Sequence, residues 1–265
     1  MQVETLLIPS NGMTFYCEKR GSGPAVVLVP SGCNDCGPFA KTAEFLSSKF
    51  TVITFDMRGG TRSMPPEDIR VTPQMLAKDV AGIVENLGIN RASFYGCSSG
   101  GQAVLMLGKL FPHLAVNIIV HEAALQSDTP LPNTGFEYFA VVARTFGPLC
   151  KGFVPKDVFF KCDWDKWMAL GKEVHDRIDK NSIYWSEYYL GSVDKYSYSE
   201  EELKSMPNLE FSVGAWTPAW MVAANISTAK RANVNYTWLP AAHYPEVVCP
   251  DVLAKYIQTT SEKYL

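Results

Sequence analysis

The chain has 265 residues, of which 47% are hydrophobic, 12% aromatic and 19% charged, a composition typical of a globular protein rather than a disordered one. The formal net charge is −3, and no cluster of Lys and Arg stands out, which argues against a nucleic-acid partner. No apolar run approaches the roughly 20 residues that a bilayer-spanning helix needs, so we expect no membrane partner.

The first third of the chain alternates short strands with helices. Predicted strands cover residues 4–8, 13–18, 25–30 and 51–55, and predicted helices cover residues 38–48 and 73–87. The strand at residues 25–30 is apolar at every position. Uninterrupted apolar runs are typical of strands that are buried on both faces of a parallel sheet.

The central feature is the pattern Gly-x-Ser-x-Gly at residues 96–100, between a strand-like run that begins at residue 92 and a helical run at residues 102–111. This context is that of a nucleophile elbow, a tight strand-to-helix turn that exposes a serine hydroxyl at the carboxyl end of a sheet. Glycines two residues to either side lack a Cβ and leave room for a strained backbone at Ser98. The alternative is a chance match in a loop, and the flanking strand and helix argue against it.

The alternation of strands and helices continues with a strand at residues 115–120 and stops near residue 127. Residues 127–206 are rich in aromatic side chains and contain no strand-like run, which indicates an inserted helical cap. The elements after the cap are strands at 209–213 and 234–239, and helices at 218–231 and 250–264. We therefore predict an α/β fold with a core domain of residues 1–126 and 207–265, a mostly parallel sheet, helices on both faces and a cap domain of residues 127–206.

A nucleophilic serine needs a general base within reach, and histidine is the usual one. Of the four histidines, His113 follows the elbow helix on the wrong side of the sheet and His175 lies in the predicted cap. His121 lies at the end of the strand that follows the nucleophile, next to Glu122, which is better placed to take part in catalysis. His243 lies in the loop after the last strand, the usual position of the base in this chain order. We predict that His243 is the base; a surface-loop histidine is the alternative.

The acid that orients the base commonly follows the strand seen here at residues 209–213, yet no Asp or Glu occurs from residue 211 to 242. Glu210 is in the entering half of that strand, at the wrong end of the sheet. Glu122 follows the preceding strand and would stand at the carboxyl edge, where a carboxylate can fix the imidazole tautomer. We predict that Glu122 is the acid; the alternative is a carboxylate bound to His121 or to a helix N-terminus.

Acyl transfer at a serine also requires backbone N–H groups that point at the developing oxyanion. One donor is expected from Ser99, which directly follows the nucleophile, and the other from Gly32 in the loop after the strand at residues 25–30.

Seven cysteines are an odd number, and the Cys33-x-x-Cys36 pair has no second pair with which to form a zinc site. We therefore expect free thiols. The N-terminus lacks the basic-then-apolar pattern of a signal peptide, and together these features favour a cytoplasmic, reducing compartment. No metal or nucleotide motif occurs, so we expect neither a metal nor a cofactor.

Seven stretches carry a resemblance to a known family, at residues 27–30, 55–57, 62–63, 96–100, 121–122, 240–245 and 250–256. The chain resembles the fungal zearalenone lactonases, α/β-hydrolases that open the macrolide ester of a resorcylic acid lactone. The likeness runs nearly end to end and is weakest in the predicted cap. Its most specific element is the pair His121-Glu122, because many hydrolases share the elbow and the proline-flanked histidine loop.

The resemblance implies catalytic roles that agree with those inferred from position. The family's nucleophile, acid and base fall on Ser98, Glu122 and His243, and its oxyanion donors fall on Gly32 and Ser99.

The resemblance also implies contacts with the substrate. The family's cap tryptophan, which contacts the lactone, matches Trp185, and a nearby tyrosine matches Tyr189. Val222 and Tyr244 are the other substrate-binding residues that we predict. The chain departs from the family at residues 219–222, where the family has a phenylalanine pair, and in the segments after Glu122 and over residues 130–165. Those segments would line the pocket.

The function implied is hydrolysis of an apolar small-molecule lactone by a Ser-His-Glu triad through an acyl-enzyme, without a cofactor. Whether the protein forms a homodimer is a question that the sequence leaves open. Two alternatives are a general esterase or lactonase that acts on another apolar ester, and a receptor of the same fold that binds a small lactone and turns it over slowly. In the family, the opened resorcylic acid then loses carbon dioxide.

Overall fold

The computed structural model of the protein describes residues 2–125, 128 and 164–265. Within these ranges no helix combines the length and the apolar character that crossing a bilayer demands. Residue 126 of the predicted core, and residues 127 and 129–163 of the predicted cap, lie outside the described residues.

One mixed sheet lies at the centre of the described structure. Its strands are β1 (Glu4–Ser10), β2 (Met13–Arg20), β3 (Ala25–Val29), β4 (Thr51–Phe55), β5 (Ala92–Cys97), β6 (Ala115–His121), β7 (Leu209–Gly214) and β8 (Tyr236–Leu239). The spatial order is β1-β2-β4-β3-β5-β6-β7-β8. The β1–β2 and β2–β4 pairs are antiparallel, and all the pairs from β4 to β8 are parallel. The predicted α/β class with a mostly parallel sheet is confirmed.

Helices surround this sheet. They are α1 (Ala40–Leu46), α2 (Pro73–Asn86), α3 (Ser99–Leu110), α4 (Trp164–Met168), α5 (Lys172–Tyr188), α6 (Glu200–Ser205), α7 (Ala219–Ala232), α8 (Pro245–Val248) and α9 (Pro250–Glu262). Alternate residues of β3 show that both faces are covered. Val27 and Val29 belong to the cluster that contains α2 and α3, whereas Val26 and Leu28 belong to the cluster that contains α1 and α9. This burial explains the uninterrupted apolar run in β3.

Several element boundaries differ from the prediction, and three of the differences lie near the elbow or the loop that carries His243. Helix α3 begins at Ser99 rather than at residue 102, although Gly100 and Gly101 disfavour a helix, because these glycines permit close packing against neighbouring backbone. Strand β8 begins two residues later than expected because Asn233 ends α7 in a left-handed conformation. The short helix α8 was not predicted: it covers the last residue of the expected loop at 240–245 and part of the stretch before the expected helix at 250–264.

The predicted cap interrupts the chain between two strands that are neighbours in the sheet. β6 and β7 pair directly in parallel, so the segment between them leaves at the carboxyl edge of the sheet and returns to its amino edge. Among the described residues between these strands, α4, α5 and α6 are helical and no strand occurs. The division into a core and a cap at residues 127 and 206 stays a prediction.

Candidate active site

Ser98 lies at the turn between β5 and α3, with backbone angles φ 56° and ψ −116°. A non-glycine residue in this region is strained. A Cβ at Gly96 would lie 2.2 Å from the carbonyl oxygen of Gly100, and one at Gly100 would lie 2.2 Å from that of Pro30. The two glycines are therefore required because the turn brings backbone against backbone.

The backbone of Ser98 is fixed to the carboxyl end of the neighbouring strand. Its N–H donates to the carbonyl of His121 at 3.0 Å, and its own carbonyl accepts from the N–H of Ala124 at 3.1 Å. The end of β6 is thereby held against the elbow, and Glu122 follows it directly.

Glu122 is fully buried and has a positive φ of 43°. Its Oε1 accepts from the N–H of Gly214 at 2.6 Å, and its Oε2 accepts from the hydroxyl of Thr217 at 3.0 Å. Nδ1 of His243 lies 2.7 Å from the same Oε2. A carboxylate offers only lone pairs, so Nδ1 carries the proton and the basic lone pair of the imidazole is at Nε2.

The environment of Glu122 favours its charged form. Burial acts to raise the pKa of this carboxyl, but the charge interaction with His121, the hydrogen bond from His243 and the N–H of Gly214 together hold the pKa below its ordinary value. The last residue of β7 and the loop after it, where the acid is commonly found, supply hydrogen-bond donors instead. Sequence reasoning missed Gly214 and Thr217, and the absence of acidic residues in that loop was the only signal.

His243 lies in the loop after β8 and is almost wholly buried. Its carbonyl accepts from the thiol of Cys97 at 3.3 Å, which places the histidine beside the residue that precedes Ser98. The ring of Tyr244 contacts the imidazole edge to face, with centroids 4.8 Å apart. The structure therefore brings the loops that carry Ser98, Glu122 and His243 to one edge of the sheet.

The two predicted oxyanion donors lie beside one another under a single side chain. Ser99 is the first residue of α3, so its N–H has no acceptor within the helix. The indole Nε1 of Trp185 donates to the hydroxyl of Ser99 at 3.1 Å. A Cβ at Gly32 would lie 2.3 Å from the same Nε1, so the indole is packed against Gly32.

The other predicted substrate-binding residues have different surroundings. Tyr189 is buried, and its hydroxyl donates to the carbonyl of Arg58 at 2.6 Å. Val222 is half-buried in α7. Tyr244 is buried in an apolar cluster with Cys33 and other residues. The role of all three in binding a substrate stays a prediction.

Two further titratable groups are buried near the site and were not predicted to take part in it. Nδ1 of His121 lies 3.0 Å from the hydroxyl of Ser212, and its Nε2 lies 3.8 Å from Oε2 of Glu122. Burial lowers the pKa of His121 to about 4. Glu246 in α8 is only 2% exposed, and its Oε2 has no hydrogen-bond partner in the described part of the chain. Burial and, to a lesser degree, the charge of Glu122 raise the pKa of Glu246 to about 8.

The cysteines of the Cys33-x-x-Cys36 motif are free and buried. Burial raises the pKa of the Cys33 thiol to about 12. Over residues 2–125, 128 and 164–265, no three His, Cys, Asp or Glu side chains form a group that could hold a metal ion.

The sequence is similar to that of proteins with a described activity. A family model described as the α/β hydrolase fold matches residues 24–145. A zearalenone hydrolase of Cladophialophora bantiana is 34% identical over 269 residues, covering 100% of this chain and 98% of that protein. A zearalenone hydrolase of Bionectria ochroleuca is 35% identical over 271 residues, covering 100% of both.

Solved structures with the same fold are more distant in sequence. The enol-lactonase from Burkholderia xenovorans LB400 superposes with a TM-score of 0.79 at 22% identity, covering 96% of this chain and 99% of that one. The N-acyl homoserine lactone degrading enzyme Est816 has a TM-score of 0.76 at 18% identity, covering 96% of this chain and 99% of that one. These similarities establish the fold and not the substrate.

Proposed function

Because the chain belongs to the zearalenone hydrolase family of α/β hydrolases and is an ester or lactone hydrolase, we propose that it opens the lactone ester of zearalenone or a related resorcylic acid macrolide. The catalytic groups in this proposal are Ser98, Glu122 and His243. The observation that carries their assignment is the 2.7 Å contact between Nδ1 of His243 and Oε2 of Glu122 beside the elbow.

In the first half-reaction, Nε2 of His243 takes the proton of the Ser98 hydroxyl as its oxygen attacks the ester carbonyl carbon. The N–H groups of Gly32 and Ser99 stabilise the tetrahedral oxyanion. Collapse breaks the bond to the ester oxygen, which takes the proton from His243. In a lactone the resulting alcohol stays attached to the acyl group, so an opened chain is esterified to Ser98.

In the second half-reaction, His243 takes a proton from water, and the hydroxide attacks the acyl-enzyme carbonyl. The second tetrahedral intermediate expels the Ser98 oxygen, which recovers its proton from His243. Glu122 stabilises the imidazolium in both halves and keeps the ring in the required tautomer. The products are a carboxylic acid and an alcohol in one molecule, and the opened resorcylic acid then loses carbon dioxide.

The substrate assignment is supported by the whole-chain likeness to two proteins named for zearalenone. The second candidate is another apolar ester or lactone. It is favoured by the departures from the family at residues 219–222 and after Glu122, which would alter the pocket wall while leaving the triad unchanged.

The test is a chromatographic assay of the purified protein with zearalenone that follows substrate loss and product mass, beside Ser98→Ala and Glu122→Ala. Conversion by the wild type and a loss of several orders of magnitude in both variants would support the triad and the substrate together. If only a generic aryl ester is hydrolysed, and through Ser98, the second candidate replaces the first. Tight binding of zearalenone with slow turnover would favour a receptor.

A further inference from the structure

Three side chains of α5 lie on one helical face because they are spaced four residues apart, at Arg177, Asn181 and Trp185. They contact residues 31–37, the loop after β3 that carries Gly32, which we call the oxyanion loop. In order along the helix, the three side chains contact Asp35, the carbonyl of Cys33 and Gly32.

The contact closest to the elbow is made by Trp185, which packs on Gly32 and donates to the Ser99 hydroxyl. The position of this indole therefore depends on how α5 lies against the oxyanion loop, and the indole in turn limits where Gly32 can be.

One turn earlier in α5, the buried side chain of Asn181 makes hydrogen bonds with both of its polar atoms. Nδ2 donates to the carbonyl of Cys33 at 2.9 Å, and Oδ1 accepts from the N–H of Thr61 at 2.7 Å. Cys33 directly follows Gly32. Asn181 therefore fixes the backbone next to a predicted oxyanion donor.

One helical turn before Asn181, Arg177 forms a bidentate ion pair with Asp35. Its Nε lies 2.5 Å from Oδ2 and its NH2 lies 3.2 Å from Oδ1. The Asp35 carboxylate is 0% exposed and also accepts from the N–H of Gly37 at 2.8 Å. Such a pair has strict geometry because two donors must match two acceptors.

We propose that Arg177 and Asn181 are positioning residues for ester hydrolysis: they hold the oxyanion loop, through Asp35 and the Cys33 carbonyl, so that the Gly32 N–H stays aimed at the oxyanion. This inference rests on the proposed function. The far end of the loop is held independently by the core, since the N–H of Cys36 donates to Asp56 at 2.9 Å. Asn34 in the middle of the loop is held by the core as well, since its Nδ2 donates to the carbonyl of Arg58 at 3.0 Å. The contacts from α5 add to these anchors at Gly32, the Cys33 carbonyl and Asp35.

The experiment measures kcat and KM for p-nitrophenyl acetate, a small aryl ester, in Asn181→Ala and Arg177→Gln. We expect kcat to fall about 10- to 100-fold with KM changed less than about threefold, because misplacing a donor by a fraction of an ångström costs transition-state stabilisation. The affinity of phenylboronic acid, whose adduct with Ser98 places an oxygen in the oxyanion hole, should fall by a similar factor.

The matched control is Lys172→Ala. Lys172 also pairs with an acid on α5, Asp176, but both side chains are exposed and neither contacts the oxyanion loop. This control should leave kcat and boronate affinity unchanged. Arg177→Lys is a milder variant because it keeps the positive charge and loses only the bidentate geometry of the ion pair. Its kcat should lie between those of the wild type and Arg177→Gln. It provides the test if Arg177→Gln does not fold.

Two outcomes would overturn the inference. If the variants have a lower melting temperature but unchanged kcat and boronate affinity, the contacts of Arg177 and Asn181 only anchor α5 and do not position the oxyanion loop. A raised KM with unchanged kcat would make them contacts for substrate binding alone. The variant Ser98→Ala distinguishes failure of the proposed function from failure of this inference. If Ser98→Ala still hydrolyses p-nitrophenyl acetate, the triad assignment fails. If the wild type does not hydrolyse zearalenone but hydrolyses the aryl ester through Ser98, the substrate assignment fails and the experiment still tests the inference.

Discussion

The carboxylate of Glu122 lies 2.7 Å from Nδ1 of His243, across a separation of 121 positions in the chain. The end of β7 and the loop after it stabilise this arrangement without contributing an acid, since Gly214 and Thr217 donate to the two oxygens of Glu122. In the proposed triad, therefore, the acid follows β6, and the end of β7 and the loop after it supply hydrogen-bond donors to that acid.

Glu122→Gln should reduce kcat about 10²- to 10⁴-fold, because the amide presents the wrong group to Nδ1 and removes the charge that stabilises the imidazolium. Thr217→Val, which removes only one donor to Oε2, should cost about tenfold or less. Steady-state kinetics on an aryl ester measures both effects. Glu246→Gln is the matched control, as another buried carboxylate in the same part of the fold. Equal losses in Glu122→Gln and this control would contradict the assignment of the acid.

Gly32→Ala should displace the indole of Trp185, because the added Cβ would lie 2.3 Å from Nε1 and 2.6 Å from Cε2. We expect a lower melting temperature and an aryl-esterase kcat/KM reduced about 10- to 100-fold. Adding Trp185→Ala should relieve the clash, so the double variant should be more stable than the sum of the single effects by about 1 kcal/mol or more. Additive effects in urea unfolding would argue against the contact.

Gly100→Ala should destabilise the fold by about 3 kcal/mol or more, because the new Cβ meets the carbonyl oxygens of Pro30 and Val29, which cannot move apart without breaking the sheet. Gly108→Ala on the same helix is the control. Its Cβ would lie 3.1 Å from a side-chain carbon of Ile118, and its higher helix propensity offsets the crowding, so we expect a change within about 1 kcal/mol. Comparable urea midpoints for the two variants would be inconsistent with the elbow geometry.

His121 should make the fold sensitive to acid. Its pKa is about 4 in the folded protein and 6.5 ordinarily, so the unfolded state binds more protons between these values and the free energy of unfolding falls as the pH drops through this window. Glu122, with its lowered pKa, adds a further loss below its ordinary range of about 4.5.

The test of this acid sensitivity is His121→Asn, followed by urea unfolding from pH 7 to 4. The variant should lose less stability than the wild type over that range, by up to about 3 kcal/mol. His113→Asn serves as the control because the His113 side chain is exposed. An unchanged slope in His121→Asn would show that another group governs acid unfolding.

Glu246 should have the opposite effect on the alkaline side. Its pKa is raised from 4.5 to about 8, so the folded state keeps a proton that the unfolded state has lost. The free energy of unfolding then falls as the pH rises from about 4.5 to 8 and levels off above that. Glu246→Gln removes this loss, so between pH 5 and pH 8 its free energy of unfolding should rise relative to that of the wild type by up to about 3.5 kcal/mol. Parallel pH profiles for the two proteins would refute the buried-proton explanation.

The fold and part of the site were accessible from sequence because their signals are local. The apolar run of β3 and the glycines around Ser98 indicate a buried strand and an elbow, and the missing acid from 211 to 242 directs attention to Glu122. The start of α3 was misplaced because glycine lowers helix propensity in isolation, whereas here it permits packing on backbone. The pairing of Arg177 with Asp35, 142 positions apart, has no local signal, because it depends on how α5 docks.

Ser98 and Glu122 are both non-glycine residues with positive φ, at 56° and 43°. Each such conformation costs about 1–3 kcal/mol, so the chain would be more stable if either position relaxed. Selection for heat resistance alone would then favour glycine at two positions that the proposed mechanism requires. Directed evolution of this protein should therefore screen for turnover and stability together, since we expect variants that gain stability at these two positions to lose the reaction.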